Sequence, residues 1–525
     1  MPRYILLSAA VLAAVLVWLN TAEPESQPGP APGPSEIRVA LSDDIRSSYP
    51  GVNRVSFSDD VLAHVVEPLV VHRNDLSIAP MAASHYSVSA DLKTFKFQLR
   101  EGLRFHNGEP VLARHVKMNW EKILDPKTGF QCLPFYNGKM GAKIVSIEVQ
   151  GERGIVFKLD RPSSVFLEKL AYIQCPVAVL HPSSWDSNGN WLKPIATGPY
   201  RFSEWKKGRY ILLKKFSGYI PRQDQASGLA GKKIALVEQV RFMIISDLMA
   251  TKAALVSGQV DLAGSLAPIT ALDLKQNKRV KAMPLAGLTR RALLIQTSDA
   301  LLADPRLRRA IGHALDMKAF AEIASLGLAK PNASVIPIDT KHHTGPHLQG
   351  YTFDLNKARE LLKQANYQGE EIVIKTTRVE QAYFDTAMIS EAMLKKAGLN
   401  IKIEVMEMAA LLGDYFEGNY QLMAFEYSPR LTAFMNYHTL IGDKKTNPNR
   451  WGDKKAQALL LQAAKSKPKD QQRIYDQIHQ YMLDQAPVIN IYNAPIIDVV
   501  STRLQGYEPW SGSKPRLWNV SVNEE

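Results

Sequence analysis

The sequence predicts an α/β protein with more than one lobe. Two observations carry this. Apolar runs of period two alternate with apolar runs of helical period along almost the whole chain. The chain of 525 residues also lies well beyond the size at which a single hydrophobic core keeps growing, about 250–300 residues. With 46% hydrophobic and 22% charged residues, its composition belongs to a soluble globular protein rather than a disordered one.

The first residues are of a different kind. Arg3 precedes the uncharged apolar run Tyr4–Leu19, whose length falls between the roughly 7–15 residues of a secretory segment and the roughly 20 of a membrane span. Residues 1–22 are therefore expected to be a signal peptide, with Asn20-Thr21-Ala22 as an imperfect cleavage site, or an uncleaved N-terminal anchor. No cysteine lies near this run, so a lipid-modified amino terminus is not expected. Residues 23–35 (EPESQPGPAPGPS) have nothing to bury and read as a spacer. No later run reaches about 18 apolar residues, which argues against a multi-spanning membrane protein.

Within the remainder, Phe95, Phe97 and Leu99 alternate with Lys96, Gln98 and Arg100 as in a half-buried strand. The turn His106–Pro110 follows, and then Val111–Ile123 places Val116, Trp120 and Ile123 at helical spacing before Asp125-Pro126 stops it. Tyr210–Lys214 is strand-like, Asp247–Ser257 is helical and ends at Gly258, and Val260–Leu262 resumes a strand. Asp304–Ala324 reads as one helix, capped by Asp304 with Pro305 in the first turn. Leu355–Ala365 and Gln381–Ala397 are amphipathic helices, each followed by a β-rich run, Glu371–Thr376 and Asn400–Val405. No internal repeat is visible.

The formal net charge of +13 suits an anionic ligand or surface, or is a scattered surface excess that serves solubility. Basic residues form no concentrated stripe, so nucleic-acid binding is not expected. Cys132 and Cys175 are candidates for a disulfide if the leader sends the chain to an oxidising compartment. The bridge would close a loop of about 43 residues and contribute on the order of 3–4 kcal/mol. Two buried free thiols are the alternative.

Several blocks, taken in order, resemble the extracytoplasmic solute-binding proteins of peptide and nickel ABC importers, bacterial solute-binding family 5. They are Phe95–Pro110 with Ala113 and Val116; Thr197-Gly198-Pro199-Tyr200 with Trp205, Gly208 and Lys215–Tyr219; Ser257–Asp261; Asp304–Ile311 with Ala314–Lys318; and Tyr351–Leu362. The likeness runs from about Glu36 to Val522. His115 stands where the family usually has Asp, and Ser217-Gly218 replaces more polar residues. The resemblance implies a two-lobed periplasmic-binding-protein fold of class II, peptide-binding type, with an inserted extra domain. Residues 36–65, 187–297 and 488–525 would form lobe I, 66–186 the extra domain and 298–487 lobe II. It further implies a periplasmic monomer that captures a peptide or other small solute between its lobes and passes it to the permease subunits of an ABC transporter, without a cofactor.

No P-loop, GxGxxG, HExxH or GxSxG motif is present. An exported hydrolase is the competing class, and turnover of peptides or esters would reveal it. His342, His343 and His347 lie close enough in sequence to converge on a metal ion, or they occupy a solvated loop.

For the ligand, peptide-binding members of the family place an acidic residue after a Gly-Trp pair to neutralise the peptide's ammonium group. Aligning Asn419–Leu422 with the family pattern puts Glu426-Tyr427 at that pair and Arg430 at the acidic position. A guanidinium offers a planar fork of donors to carboxylate or phosphate and repels an ammonium group, so an anionic or zwitterionic solute such as an acidic peptide derivative, opine, sugar phosphate or metal chelate is expected. If the alignment slips, Glu426 takes the acidic role. Tyr427 as an aromatic wall, Ser428 beside it, and Tyr49 from the opposite lobe complete the candidate set.

Overall fold

A computed structural model describes residues 35–523. The leader and most of the spacer lie outside the described residues. Among the described residues no helix is long and apolar enough to cross a membrane.

Three sheets organise the chain. The first has seven strands, in the order Val280–Leu285, Ile496–Ser501, Leu262–Ala263, Glu36–Leu41, Gln239–Ile244, Tyr210–Lys215 and Tyr200–Lys206. Its central strand IRVAL is apolar at nearly every position because both faces are covered. Ile37, Val39 and Leu41 pack into one core cluster and Ala40 into another on the opposite face. The buried Arg38 is held by Asp261, whose carboxylate accepts from the Arg38 backbone N–H at 2.8 Å and from its Nη2 at 3.1 Å. This accounts for the Ser257–Asp261 block, which ties the first strand to the turn after the helix Leu248–Ser257.

The second sheet has five strands, in the order Ile401–Val405, Ile372–Thr376, Leu422–Tyr427, Arg290–Ile295 and Val488–Asn493. Alternation along Arg290–Ile295 sends Ala292 and Leu294 into one core and Leu293 and Ile295 into another. Because Arg290–Ile295 and Val488–Asn493 pair here, the chain passes between the two sheets at 286–289 and at 494–495. The expected boundaries at 297 and 488 had put both strands with the first sheet. The crossings touch: the Ala494 N–H donates to the Thr289 carbonyl at 2.8 Å, and a Cβ on Gly287 would stand 2.2 Å from the Ala494 oxygen, so only glycine permits this approach.

The third sheet, Ala83–Val88, Thr94–Leu99, Gly154–Leu159 and Ile144–Gln150, is antiparallel. The helix Ala113–Leu124 lies on it, driving Trp120 edge-on against Tyr136 and Phe157. His115, the residue that departs from the family pattern, accepts the Leu112 N–H at 3.1 Å through Nδ1 and so closes the first turn as a carboxylate would. Cys132 and Cys175 are bonded, spanning 43 positions.

The stretch expected as one helix over Asp304–Ala324 is two, Pro305–Ala314 and Met317–Ser325. Asp316 accepts from the Lys318 and Ala319 N–H groups and starts the second.

Candidate ligand-binding cleft

The strand Leu422–Tyr427 ends where the chain crosses between sheets, and Pro429, which cannot donate to a ladder, prevents its continuation. The loop Ser428–Leu431 follows before Thr432 caps the helix Ala433–His438, accepting from the Met435 N–H at 3.3 Å. The segment just before Cys175, which follows the third sheet in sequence, meets this loop. Gln174 Nε2 donates to Ser428 Oγ at 3.3 Å, and Leu431, Ile173, Leu288 and Trp510 form one buried cluster joining both bodies and a crossing segment.

Arg430 stands half-buried at this meeting point, donating through Nη1 to the Ser428 carbonyl and hydroxyl, both at 2.9 Å. Among the described residues it makes no ion pair. Burial pushes the phenol of nearby Tyr172 up, and the charges of Arg430 and Arg54 draw it partly back. Arg54 is compensated by Asp59, at 2.9 Å from Nε to Oδ2, and Lys514 by Asp60 at 2.6 Å. Among the described residues, Arg430 thus differs from Arg54 and Lys514 in having no carboxylate partner.

Glu426 points to the other face of its strand, opposite Arg291, with which it forms an ion pair. It is thus engaged away from Arg430. Tyr427 does not present a face to the cleft: it is 4% exposed, its ring lies under the Arg290 guanidinium, 4.6 Å from the ring centroid, and its hydroxyl meets that of Tyr415 at 3.5 Å. The alternation that turns Glu426 outward turns Tyr427 into the core. Tyr49 is buried in the core of the seven-stranded sheet, stacked on Trp191 at 4.2 Å and edge-on to Trp185. The structure brings Arg430 and Ser428 together and leaves Tyr49 in an aromatic cluster apart from them.

The histidines sit differently within a largely exposed loop, His342 and His343 half-buried and His347 buried. His347 is bonded through Nδ1 to Ser334 Oγ at 2.8 Å with its ring 4.6 Å from and tilted against that of His479, and burial pushes its pKa down to about 3. His343 and His342 bond separately to Asn332 and Gln472. Among the described residues no group of three metal-ligating side chains converges.

A family model for the bacterial extracellular solute-binding proteins, family 5 (middle), matches residues 77–449. The chain belongs to this family. Its members are the extracytoplasmic binding components of ABC importers, and this chain is such a solute-binding component. Among curated relatives, the glutathione-binding protein GsiB of Escherichia coli O1:K1 is 23% identical over 379 residues, covering 71% of this chain and 70% of that protein. Among solved structures, the binding protein AgaA from A. tumefaciens R10 in complex with agropinic acid superposes with a TM-score of 0.75 at 23% identity, over 93% of this chain and 99% of that one. The periplasmic binding protein DppA from Helicobacter pylori in complex with the peptide STSA gives 0.78 at 22% identity, over 93% and 98%. These likenesses establish the two-lobed class II binding-protein fold.

Reasoning from the sequence missed Gln174, Ile173, Leu288, Trp510 and Arg290. Arg290 alone left a local signal: a charge at the head of an apolar strand, in phase with Ala292 and Leu294.

Proposed function

We propose that this protein captures a peptide-like solute bearing a carboxylate between its two lobes and hands it to an ABC permease in the periplasm. The observation that carries the reading is Arg430, a cleft-side guanidinium on a loop that touches both bodies, with no carboxylate partner among the described residues. A guanidinium binds carboxylate bidentately. The ligands named for three relatives, glutathione, agropinic acid and the peptide STSA, each carry that group. Glu426 is a poor receptor for a peptide ammonium group because Arg291 already neutralises it.

Capture by lobe closure follows from linkage: a solute that touches both bodies only in the shut state shifts the equilibrium toward it. The body carrying the seven-stranded sheet together with the antiparallel insert would form one jaw, and residues 290–493 the other. The protein would work as a monomer, bind no nucleic acid and turn nothing over. Whether residues 1–22 are removed or retained as an anchor does not alter this role.

Native mass spectrometry of the protein as purified identifies a retained solute, and calorimetry with that solute tests Arg430. Arg430→Ala is expected to weaken binding by about 10- to 150-fold, the equivalent of a charge-assisted hydrogen bond at about 1.5–3 kcal/mol. Unchanged affinity would overturn the assignment of Arg430.

A further inference from the structure

Arg290 is the first residue of the strand that enters the five-stranded sheet, and register places it directly between Tyr427 and Asn493. Residues opposite one another on antiparallel strands share a face, with Cβ atoms about 4.5–5.5 Å apart, so the three side chains stand together at the cleft end of the sheet. Arg290 is 1% exposed. Its Nη1 donates to Asn490 Oδ1 at 2.9 Å and its Nη2 to Thr439 Oγ1 at 3.4 Å, and its plane covers the Tyr427 ring. Its Nε has no acceptor. Asn493 is oriented through Oδ1, which accepts from Asn332 Nδ2 at 2.8 Å and from the Ile338 N–H at 3.3 Å. That leaves the Asn493 Nδ2 amide buried and without an acceptor.

Among the described residues no carboxylate pairs with Arg290. The charge that acts on it most strongly, apart from neighbouring phenols, is Arg430, of like sign. Burial pushes its pKa down to about 10, so it remains a cation at neutral pH. An ion taken out of water without a counter-charge is strongly disfavoured. Two buried donors, Arg290 Nε and Asn493 Nδ2, thus stand on directly paired positions of adjacent strands without an acceptor.

We propose that Arg290 and Asn493, at the strand ends beside the loop that carries Arg430, form an anion subsite. Its occupant is a small monoanionic group: the carboxylate of the solute, or a free anion such as chloride that completes the site before the solute arrives. The subsite deepens the reading of a carboxylate-bearing solute and rests on it for the first source only.

The test uses the full chain, stripped of solute by unfolding and refolding, and the variants Arg290→Met and Arg290→Lys. Unfolding midpoints are followed against sodium acetate and sodium chloride, with ionic strength held constant by a bulky organic anion. The wild type is expected to show a saturable rise with one of these anions. Arg290→Met should lose that response and, without anion, should unfold no earlier than the wild type because its buried charge is gone. Arg290→Lys, which keeps the charge, should retain a weaker response. If the solute supplies the anion, Arg290→Met also weakens solute binding by about a hundredfold. If chloride does, solute affinity changes little while the chloride response disappears. A wild type indifferent to both anions, or an Arg290→Met variant that responds as the wild type does, overturns the proposal. The anion response needs no solute, so absence of any bound solute would count against the capture reading and not against the subsite.

Discussion

His106 should make stability fall steeply in mild acid. It lies in the turn after the strand Thr94–Leu99 and packs on the Thr197–Tyr200 block. Nδ1 accepts the Ala196 N–H at 3.2 Å and Nε2 donates to the Gly198 carbonyl at 3.1 Å. Protonating Nδ1 would aim a second N–H at a backbone N–H, and the ring is buried edge-on to Phe216. Its pKa is accordingly pushed down to about 4, chiefly by burial. Because the folded value lies below the ordinary 6.5, the unfolded chain binds more protons between those limits, and stability is lost as pH falls through 6.5 toward 4. Linkage gives almost no effect at pH 7.5 and a loss of about 2 kcal/mol at pH 5. His106→Gln removes the titration, at the cost of the Ala196 bond. In urea unfolding, the stability difference between wild type and variant should shrink by about 2 kcal/mol from pH 7.5 to pH 5. An equal difference at both pH values would refute the argument.

Two further outcomes follow from the same geometry. Gly287→Val drives a side chain into the Ala494 carbonyl where the crossings touch. It should weaken binding of the retained solute while leaving the far-ultraviolet circular dichroism of both sheets unchanged, and unaltered calorimetric affinity would speak against a strict need for glycine there. Replacing Cys132 and Cys175 together with serine opens the 43-position loop and should lower the unfolding free energy by about 3–4 kcal/mol, whereas a loss under about 1 kcal/mol would mean that the insert is held by packing alone.

What was legible in the sequence was what depends on neighbours along the chain. Phe95, Phe97 and Leu99 showed their strand because period two needs only a few residues, and Asp247 and Asp304 showed helix starts because caps act on the next turn. Asp316 carried the same signal and was overlooked because apolar periodicity runs on from Ile311 to Phe320, masking the break. Nothing local in Arg290–Ile295 and Val488–Asn493 says which sheet buries them, so the crossing points were not legible. Of the candidate site, the sequence offered only single residues, because contacts between distant segments leave no local mark. Ser428 and Gln174 meet across 254 positions, and nothing local marks Trp510 as a partner of Leu431. Tyr427 and Glu426 could be separated only once the strand's phase was known.

The bond between Cys132 and Cys175 has a consequence at a distance from the core it staples. Cys175 follows directly on Ile173 and Gln174, the residues that reach across to Leu431 and Ser428. A surface that must be ordered afresh at every encounter charges its conformational entropy against affinity, on the order of 1–2 kcal/mol for each backbone residue fixed. With the bond to Cys132 anchoring the chain next to Gln174, this segment would need little further ordering to meet a solute held between the lobes.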